Sequence, residues 1–282
     1  MPDLQPFRET AYAKLNLALH VRARRDDGYH ELETLFAFCA DGDTLSFEAA
    51  DDLTLVIDGP FGGDLAADEN NLVLRAARML REETGTRAGA RIALAKTLPV
   101  ASGIGGGSAD AAAALRGLNR LWGTGLRDDR LAALGLSLGA DVPACVHSRA
   151  MRAAGVGERL TPADLGALAG LPVLLANPGV AVSTAAVFGG WDGVDRGPMP
   201  ERPAACLTEG RNDLQAPAVR TAPQIEALLA DLAALDPAYP PRMSGSGATC
   251  FALFHDWGDA RQAQTRMAQN RPQTWSLLST LR

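Results

Sequence analysis

Alternating apolar and polar positions predict a series of short β-strands along the chain. In residues 10–22, Leu15 and Leu17 lie on one face of such a strand, and Lys14 and Asn16 lie together on the opposite face. Further separate strands are predicted over residues 34–38, 44–47, 54–57, 90–95, 171–176, 249–254 and 274–281.

Apolar residues spaced three or four positions apart predict helices between these strands. In residues 71–83, for example, Leu72, Ala76 and Leu80 fall on one helical face. Residues 192–206 are predicted to be a loop. Because strands and helices are mixed along the chain without an internal repeat, the sequence predicts an α+β fold. The other predicted helices cover residues 111–121, 131–138, 225–235 and 259–270.

A glycine-rich segment, residues 96–110, lies between a predicted strand and a predicted helix. Glycines let backbone N–H groups approach an anion, and a following helix presents its positive end, so this order is typical of phosphate binding. The segment is neither a dinucleotide fingerprint nor a Walker A loop, since Ser108 stands where the first needs glycine and no Gly-Lys-Ser/Thr follows. A helix entry without a ligand is the alternative, in which Ser108 is only an N-cap.

The basic residues are unusually biased, because only Lys14 and Lys96 of the 27 are lysine. A surface position accepts either cation, whereas a site that needs a compact ammonium does not accept the wide guanidinium fork. A general drift toward arginine makes these two lysines more informative, although either could have survived by chance.

Net charge and cysteine usage exclude several classes of protein. The formal charge of −6 and pI near 5.3 argue against a strongly basic nucleic-acid or membrane-surface binder. The four cysteines, at 39, 145, 206 and 250, are far apart and form no CxxC, which disfavours structural zinc and disulfides and suits a reducing cytosol.

Two segments bear on targeting and membranes. The N-terminal MPDLQPFRET lacks the basic-then-apolar pattern of a signal peptide. Residues 165–191 carry no charge, but Pro172 and Pro178 interrupt them, so we predict a buried strand there and not a membrane span. A cytoplasmic protein is expected.

Residues 99–112, PVASGIGGGSADAA, resemble the second signature of the galactokinase, homoserine kinase, mevalonate kinase and phosphomevalonate kinase (GHMP) superfamily. The flanking segments are more selective and resemble the family of 4-diphosphocytidyl-2-C-methyl-D-erythritol kinases, in the same order along the chain. The DGYHEL stretch is the most specific of them. These segments are AKLNLALHV, RRDDGYHELETLF, ENNLVLRAARML, GADVPACV and MSGSGATCFALF.

The resemblance implies an enzyme that phosphorylates the 2-hydroxyl of its cytidyl substrate with ATP and Mg²⁺, in the non-mevalonate route to isoprenoid precursors. It implies a ribosomal protein S5-like N-terminal domain and a ferredoxin-like C-terminal domain, with the active site in the cleft between them. We place the ATP-binding and catalytic domain at residues 1–160 and the domain that completes the substrate cleft at 161–282. The last strand is a candidate to return to the first domain.

By resemblance, Lys14 and Asp141 match the catalytic pair, with Asp141 as the base and Lys14 beside it. A secondary alcohol is a poor nucleophile, and a placed carboxylate both orients it and accepts its proton. A nearby ammonium favours the developing negative charge. Read without the resemblance, Asp141 is a cap or turn residue before Val142 and Pro143, and Lys14 is an exposed strand lysine.

The resemblance also implies a cytidine site at Tyr29 and His30, where an aromatic face stacks on the base and an imidazole bonds its polar edge. Phe188 matches a second aromatic more loosely, with Thr184 nearby, and Asn16 falls beside the reacting end. A core tyrosine with a surface histidine, and a plain core phenylalanine, are the alternatives.

For ATP, the resemblance implies the glycine-rich segment, with Asn71 and Lys96 near the adenine and the Gly245–Gly247 turn closing the phosphate side. Asn71 reads equally well as a helix-entry cap, and the turn as a plain turn before a strand. The implied loop contacts are Pro99, Val100, Ala101, Ser102, Gly103, Ile104, Gly105, Gly106, Gly107, Ser108 and Ala109.

Three positions depart from the family pattern. Ala101 and Ser102 stand where the family more often has glycine and alanine, and Ala109 replaces the commoner second serine. The lost hydroxyl puts in doubt any role of position 109 in holding phosphate or metal and leaves Ser108 as the possible metal ligand. Mg²⁺ is expected to arrive mainly on ATP and to keep several waters.

Two other functions stay open from the residues. Another kinase of the superfamily, acting on homoserine, mevalonate or a sugar, would have no base to stack on Tyr29, His30 and Phe188. A non-catalytic nucleotide-binding protein would need neither Lys14 nor Asp141. In each case the expected partner is a small molecule, and neither nucleic acid, membrane nor another protein is implied.

Overall fold

The computed structural model describes residues 6–282. The first five residues of the N-terminal segment MPDLQPFRET therefore lie outside the described residues. The strands are β1 Phe7–Arg24, β2 His30–Glu48, β3 Leu53–Asp58, β4 Ala90–Ala95, β5 Met151–Gly155, β6 Arg159–Pro162, β7 Pro172–Asn177, β8 Arg242–Met243, β9 Cys250–Leu253 and β10 Trp275–Thr280. The helices are α1 Leu72–Thr84, α2 Gly106–Leu121, α3 Asp128–Gly135, α4 Val142–His147, α5 Thr184–Gly189, α6 Pro203–Thr208, α7 Gln215–Thr221, α8 Gln224–Ala233 and α9 Trp257–Asn270.

The described chain divides into two compact units that are interleaved in sequence. Among the described residues, the first contains 6–13, Asp41–Val100 and Gly105–Ser148. The second contains Lys14–Ala40, Ala101–Ile104 and Arg149–Arg282. These contact units do not follow a single boundary at residue 160, because β1 and β2 each contribute to both. The two functional domains assigned from the sequence stay a prediction.

The first unit contains helices α1 to α4 and part of a β-sheet. β3 pairs in parallel with β4, and β4 pairs antiparallel with the end of β2, from Thr44 to Glu48. Ala111 to Ala114 of α2 are completely buried, since small side chains let the neighbouring elements approach closely. Gly117 of the same helix lies directly against the Phe47 ring, where a Cβ would collide.

In the second unit, the first half of β2 pairs with β5, which pairs with β6. A four-stranded sheet has the order β10-β7-β9-β8, and its core holds apolar side chains of α8 and α9, including Ile225, Leu228 and Met267. β10 pairs with β7 along six residues. Directly after β10, the chain pairs with β2 through an isolated β-bridge between Leu281 and Cys39.

Most predicted elements are present, but some bounds were wrong. The strands predicted over 34–38 and 44–47 are one strand, β2, because Gly42 lets its backbone lie against that of Ala11, where any Cβ would collide. Helix α2 begins at Gly106, five residues earlier than predicted, so Gly106, Gly107 and Ser108 are helical. Helix α3 ends at Gly135, three residues before the predicted end. Part of the predicted loop forms α6, and α4 was not predicted.

The uncharged segment contains the buried strand β7, as predicted, followed by a turn in which Asn177 Oδ1 accepts from Gly179 N. Among the helices of residues 6–282, none is both long and apolar enough to cross a bilayer. The four cysteines are free thiols, and all of them are buried.

Candidate active site

The glycine-rich segment has the backbone that its composition predicts. Gly103 and Gly105 adopt positive φ angles of 78° and 66°, and Ala101 does so at 50°. Gly105 is the N-cap of α2 and offers no side-chain cap. The first turn of α2 therefore presents backbone N–H groups and the positive end of a 16-residue helix, which together favour an anion.

The Gly245–Gly247 turn lies against this segment. A Cβ on Gly103 would stand 2.5 Å from the carbonyl oxygen of Ser244, so only glycine permits the approach. Ser244 Oγ donates to Gly103 O at 3.0 Å. Ser246, within the turn, shares a 2.9 Å hydroxyl–hydroxyl hydrogen bond with Thr184 at the start of α5. The predicted turn therefore sets the backbone of the loop and also contacts Thr184.

A cavity of ≈ 320 Å³ opens beside the N-terminal part of α2. Asn71 lies in its wall and is at the same time the N-cap of α1, with Oδ1 accepting from Val73 N at 3.0 Å. Asn71 can thus cap α1 and line the cavity at the same time. Most of the wall is apolar or backbone, which suits a flat heterocycle. The lining residues are Leu65, Ala66, Asp68, Asn70, Asn71, Leu72, Val73, Leu94, Gly107 and Asp110.

Lys96 does not line this cavity, although the resemblance places it near the adenine. It is 1% exposed, and its Nζ donates to Asp43 Oδ2 and to Asp110 Oδ2, both at 2.6 Å. Burial alone would lower the pKa of Lys96, but the charges of Asp110 and Asp43 outweigh it and raise that pKa. Burial raises the pKa of Asp110, against the opposing charge of Lys96. Lys96 reaches the cavity only through Asp110.

Lys14 is also buried, at 3% exposure, so its interpretation as an exposed strand lysine is wrong. Its Nζ donates to Asn16 Oδ1 at 2.8 Å and lies 5.0 Å from the centre of the Phe36 ring. Asn16 Nδ2 in turn donates to Thr34 Oγ1 at 2.8 Å, and Thr34 donates to a backbone carbonyl of β1. This chain of hydrogen bonds fixes the position of the ammonium.

Asp141 lies in the first unit, directly before α4. It occupies the N-cap position, but its carboxylate makes no capping hydrogen bond, so capping does not explain the residue. Gly139, two residues earlier, lies close to Ser108, since a Cβ there would be 3.8 Å from the Ser108 hydroxyl. The first unit thus brings Ser108 and the Gly139–Asp141 turn to the same end of α2.

The residues proposed to bind cytidine lie at and beside the turn between β1 and β2. Their exposure is the opposite of the alternative interpretation, which was a core tyrosine with a surface histidine. Tyr29 is 64% exposed, whereas His30 is buried. The His30 ring lies 5.1 Å from that of Phe188 and 5.8 Å from that of Trp191. Phe188 is half-buried, so one part of its ring remains accessible. A neutral imidazole is thus framed by aromatic rings next to an exposed phenol.

Arg24 determines the state of His30. Its Nε donates to His30 Nε2 at 3.3 Å, which places the ring proton of His30 on Nδ1, and its guanidinium also donates to Gly189 O beside Phe188. Burial, and then the positive charge of Arg24, lower the pKa of His30. The imidazole is therefore neutral at neutral pH, with Nδ1–H as a donor.

Sequence reasoning missed Arg24, Thr34, Asp43 and Asp110 as parts of the site. Asp110 lies within the recognised signature, and Asp43 lies in a polar Asp-Gly-Asp stretch between two predicted strands. Neither feature indicates a buried lysine as partner, because the three residues are far apart in sequence. Arg24 gave no signal among the 25 arginines.

Comparison with known proteins identifies the family of this chain. Residues 71–149 match the GHMP kinases N terminal domain, and residues 200–273 match GHMP kinases C terminal. A 4-diphosphocytidyl-2-C-methyl-D-erythritol kinase of Rhizorhabdus wittichii is 51% identical over 100% of this chain and 96% of its own length. The enzyme of the same name from Brucella melitensis is 46% identical over 93% of this chain and 91% of its own.

Solved structures give the same result. A crystal structure of 4-(cytidine 5'-diphospho)-2C-methyl-D-erythritol kinase has a TM-score of 0.81 and 36% identity, and the match covers 98% of this chain and 99% of that one. A homoserine kinase from Cytophaga hutchinsonii, at 16% identity and TM-score 0.74 over 100% of this chain and 96% of its own, shares the fold. The expected α+β fold, S5-like and then ferredoxin-like, is confirmed. The chain belongs to the GHMP kinases and, within them, to the family of 4-diphosphocytidyl-2-C-methyl-D-erythritol kinases.

Proposed function

We propose that this chain transfers the γ-phosphoryl group of ATP to the 2-hydroxyl of 4-diphosphocytidyl-2-C-methyl-D-erythritol, a step of the non-mevalonate route to isoprenoid precursors. The observation that carries the proposal is the group formed by Tyr29, His30 and Phe188. An exposed phenol beside a neutral imidazole and a half-accessible phenyl ring suits a pyrimidine base. Relatives of up to 51% identity that bear this enzyme's name support it.

We place the adenine in the cavity beside α2 and the phosphates at the first turn of that helix. Asn71 lines the cavity. Lys96 stabilises the cavity wall by donating a hydrogen bond to Asp110, which is part of that wall. The loop residues from Pro99 to Ala109 carry the phosphate contacts through their backbone. Helical N–H groups of Gly106, Gly107 and Ser108 are the donors that suit an anion at this point.

We assign Asp141 as the base and Lys14 as the cation of the reaction. Asp141 would accept the proton of the 2-hydroxyl as its oxygen bonds to the γ-phosphorus, and the bond from that phosphorus to the ADP oxygen breaks. The ammonium of Lys14, held by Asn16, would stabilise the negative charge that develops on the oxygen. An ammonium held in a buried hydrogen-bond network supports the role of Lys14.

Mg²⁺ would arrive with ATP and would supply positive charge that offsets the negative charge of the phosphates. Ser108 is the protein ligand that we propose, since its hydroxyl stands in the first turn of α2 and faces Gly139, near Asp141. Substrate contacts are proposed for Asn16 and Thr184 as well as for the aromatic group. The four buried free thiols support a reducing cytosol as the location.

The test is ATP consumption by the purified protein with Mg²⁺ and the cytidyl substrate, beside homoserine, mevalonate and galactose. We expect turnover only with the cytidyl substrate. Turnover with another acceptor would refute the cytidine pocket but keep the kinase chemistry. Binding of ATP without turnover of any acceptor would favour a non-catalytic nucleotide-binding protein.

A further inference from the structure

Three ionisable side chains are buried together at the base of the glycine-rich segment. Lys96 directly follows β4, Asp43 belongs to β2, and Asp110 belongs to α2. None of them is more than 2% exposed. We call Lys96, Asp43 and Asp110 the Lys96 triad. Three buried charges cost desolvation energy that packing alone would not require, so their retention needs a reason.

Asp43 holds the chain segment that enters the loop. Its Oδ1 accepts from Thr97 N at 2.6 Å and from Leu98 N at 2.9 Å, while its Oδ2 accepts from Lys96. One carboxylate therefore fixes three consecutive residues directly before Pro99. The amides of Thr97 and Leu98 donate to this side chain, which takes the place that a neighbouring strand has in a sheet.

Asp110 holds the helix that leaves the loop. It lies in the second turn of α2, and its Oδ2 accepts from the same ammonium at 2.6 Å. Among the residues that the structure describes, none bonds its Oδ1, so the bond to Lys96 is what keeps this carboxylate in place. Lys96 thus joins the entry of the loop, through Asp43, to its exit, through Asp110.

The space around the ammonium explains why this residue is one of only two lysines. A Cβ placed on Gly106 would stand 3.0 Å from Lys96 Nζ, so the group sits directly against the backbone of the first helical turn. A planar guanidinium is wider and would displace that turn. Because Lys96 Nζ lies this close to Gly106, the Lys96 triad is also next to the backbone N–H groups that we propose as phosphate donors.

We infer that Lys96 is a positioning residue, which joins both ends of the glycine loop through Asp43 and Asp110 and supports ATP binding without touching the nucleotide. The inference rests on the proposed function, because it concerns the same loop. Loss of the link would let the first turn of α2 move relative to the entering strand. The N–H groups would then no longer converge on one anion position.

The central experiment compares Asp110→Ala with Asp110→Asn. Alanine removes the link, whereas asparagine keeps an oxygen that accepts from Lys96. We expect Asp110→Ala to raise KM for ATP by about tenfold or more, the size typical of lost positioning, and Asp110→Asn to raise it by a clearly smaller factor, because the link to Lys96 is kept. KM for the cytidyl substrate and kcat should change by less than about threefold in both.

A second measurement needs no nucleotide. Hydrogen exchange of the amides of residues 97, 98 and 106–109 should be faster in Asp110→Ala than in Asp110→Asn and the wild type, while amides of the four-stranded sheet stay unchanged. Where Asp110→Ala is too unstable to purify, Asp110→Val removes the link, fills more of the space and leaves the buried Lys96–Asp43 ion pair in charge balance. The same rise in KM and in exchange is expected there.

Several outcomes would overturn the inference. An unchanged KM for ATP in Asp110→Ala, or equal exchange rates in both variants, would show that the triad only stabilises the fold. Binding by calorimetry separates direct contact from positioning: positioning weakens ATP, GTP and tripolyphosphate alike, whereas an effect confined to ATP would mean that the triad reads the adenine. A wild-type protein that binds none of these would refute the proposed function, and the exchange result would still decide the link.

Discussion

Replacement of Tyr29 by alanine should weaken binding of the cytidyl substrate and leave the fold intact. The ring is 64% exposed and belongs to a turn whose geometry depends on backbone groups. Gly28 supplies a φ of 85°, Arg25 N donates to Tyr29 O, and Asp27 Oδ1 accepts from Tyr29 N. None of these contacts involves the phenol ring, so its removal costs the folded state little.

The expected size follows from base stacking. Truncation of an aromatic side chain that stacks on a base costs about 1–3 kcal/mol per base, which is roughly a fivefold to 150-fold loss of affinity. Because Tyr29 is more exposed than Phe188, its stacked face gains more burial on binding, and we expect a loss in the middle of this range or above. Tyr29→Phe keeps the ring and should retain affinity within about threefold.

Steady-state kinetics with each substrate varied in turn is the assay, with thermal unfolding of the same preparations. We expect KM for the cytidyl substrate to rise in Tyr29→Ala, with KM for ATP and the unfolding temperature unchanged. An unchanged KM for the cytidyl substrate would refute the stacking role. A lowered unfolding temperature with both KM values altered would mean instead that the ring supports the turn.

Three further predictions concern other parts of the site. Asp141→Asn should bind ATP normally by calorimetry but lose about 10²- to 10⁴-fold in turnover, and unchanged turnover would exclude Asp141 as the base. Because burial and Arg24 lower the pKa of His30, KM for the cytidyl substrate should be constant near neutral pH and rise only when the pH falls below the usual histidine range. Arg24→Met should move that rise to higher pH, and a pH profile that does not move would contradict the link between Arg24 and His30. Ala101→Gly should increase the free energy of unfolding in urea by about 1 kcal/mol, since Ala101 has a φ of 50°, and a decrease would refute the strain argument.

Local sequence patterns were sufficient for most elements and for the chemistry of the loop. The strand around Lys14, the helix after Asn71 and the glycine-rich helix entry all follow from periodicity and from glycine's freedom at positive φ. Those signals are local, because they depend on residues within one or two turns of each other. The motif order along the chain also identified the family, and the comparisons confirm it.

Long-range partners decided the rest. The sequence marked Lys96 as unusual, but only the tertiary structure pairs it with Asp43, 53 positions away, and with Asp110, 14 positions away. The fusion of two predicted strands into β2 likewise depends on Ala11 lying against Gly42. The burial of His30 and the exposure of Tyr29 reverse the local expectation, because Phe188 and Trp191 come from the other half of the chain.

The sequence by itself therefore determined most of the elements, the family and the residue types available for chemistry. Tertiary structure alone decided which charges meet, which side chains leave water and which nitrogen of His30 carries its proton. The physical reason is that periodicity and turn chemistry act between neighbours, whereas desolvation and ion pairing depend on what the folded chain places within a few ångströms.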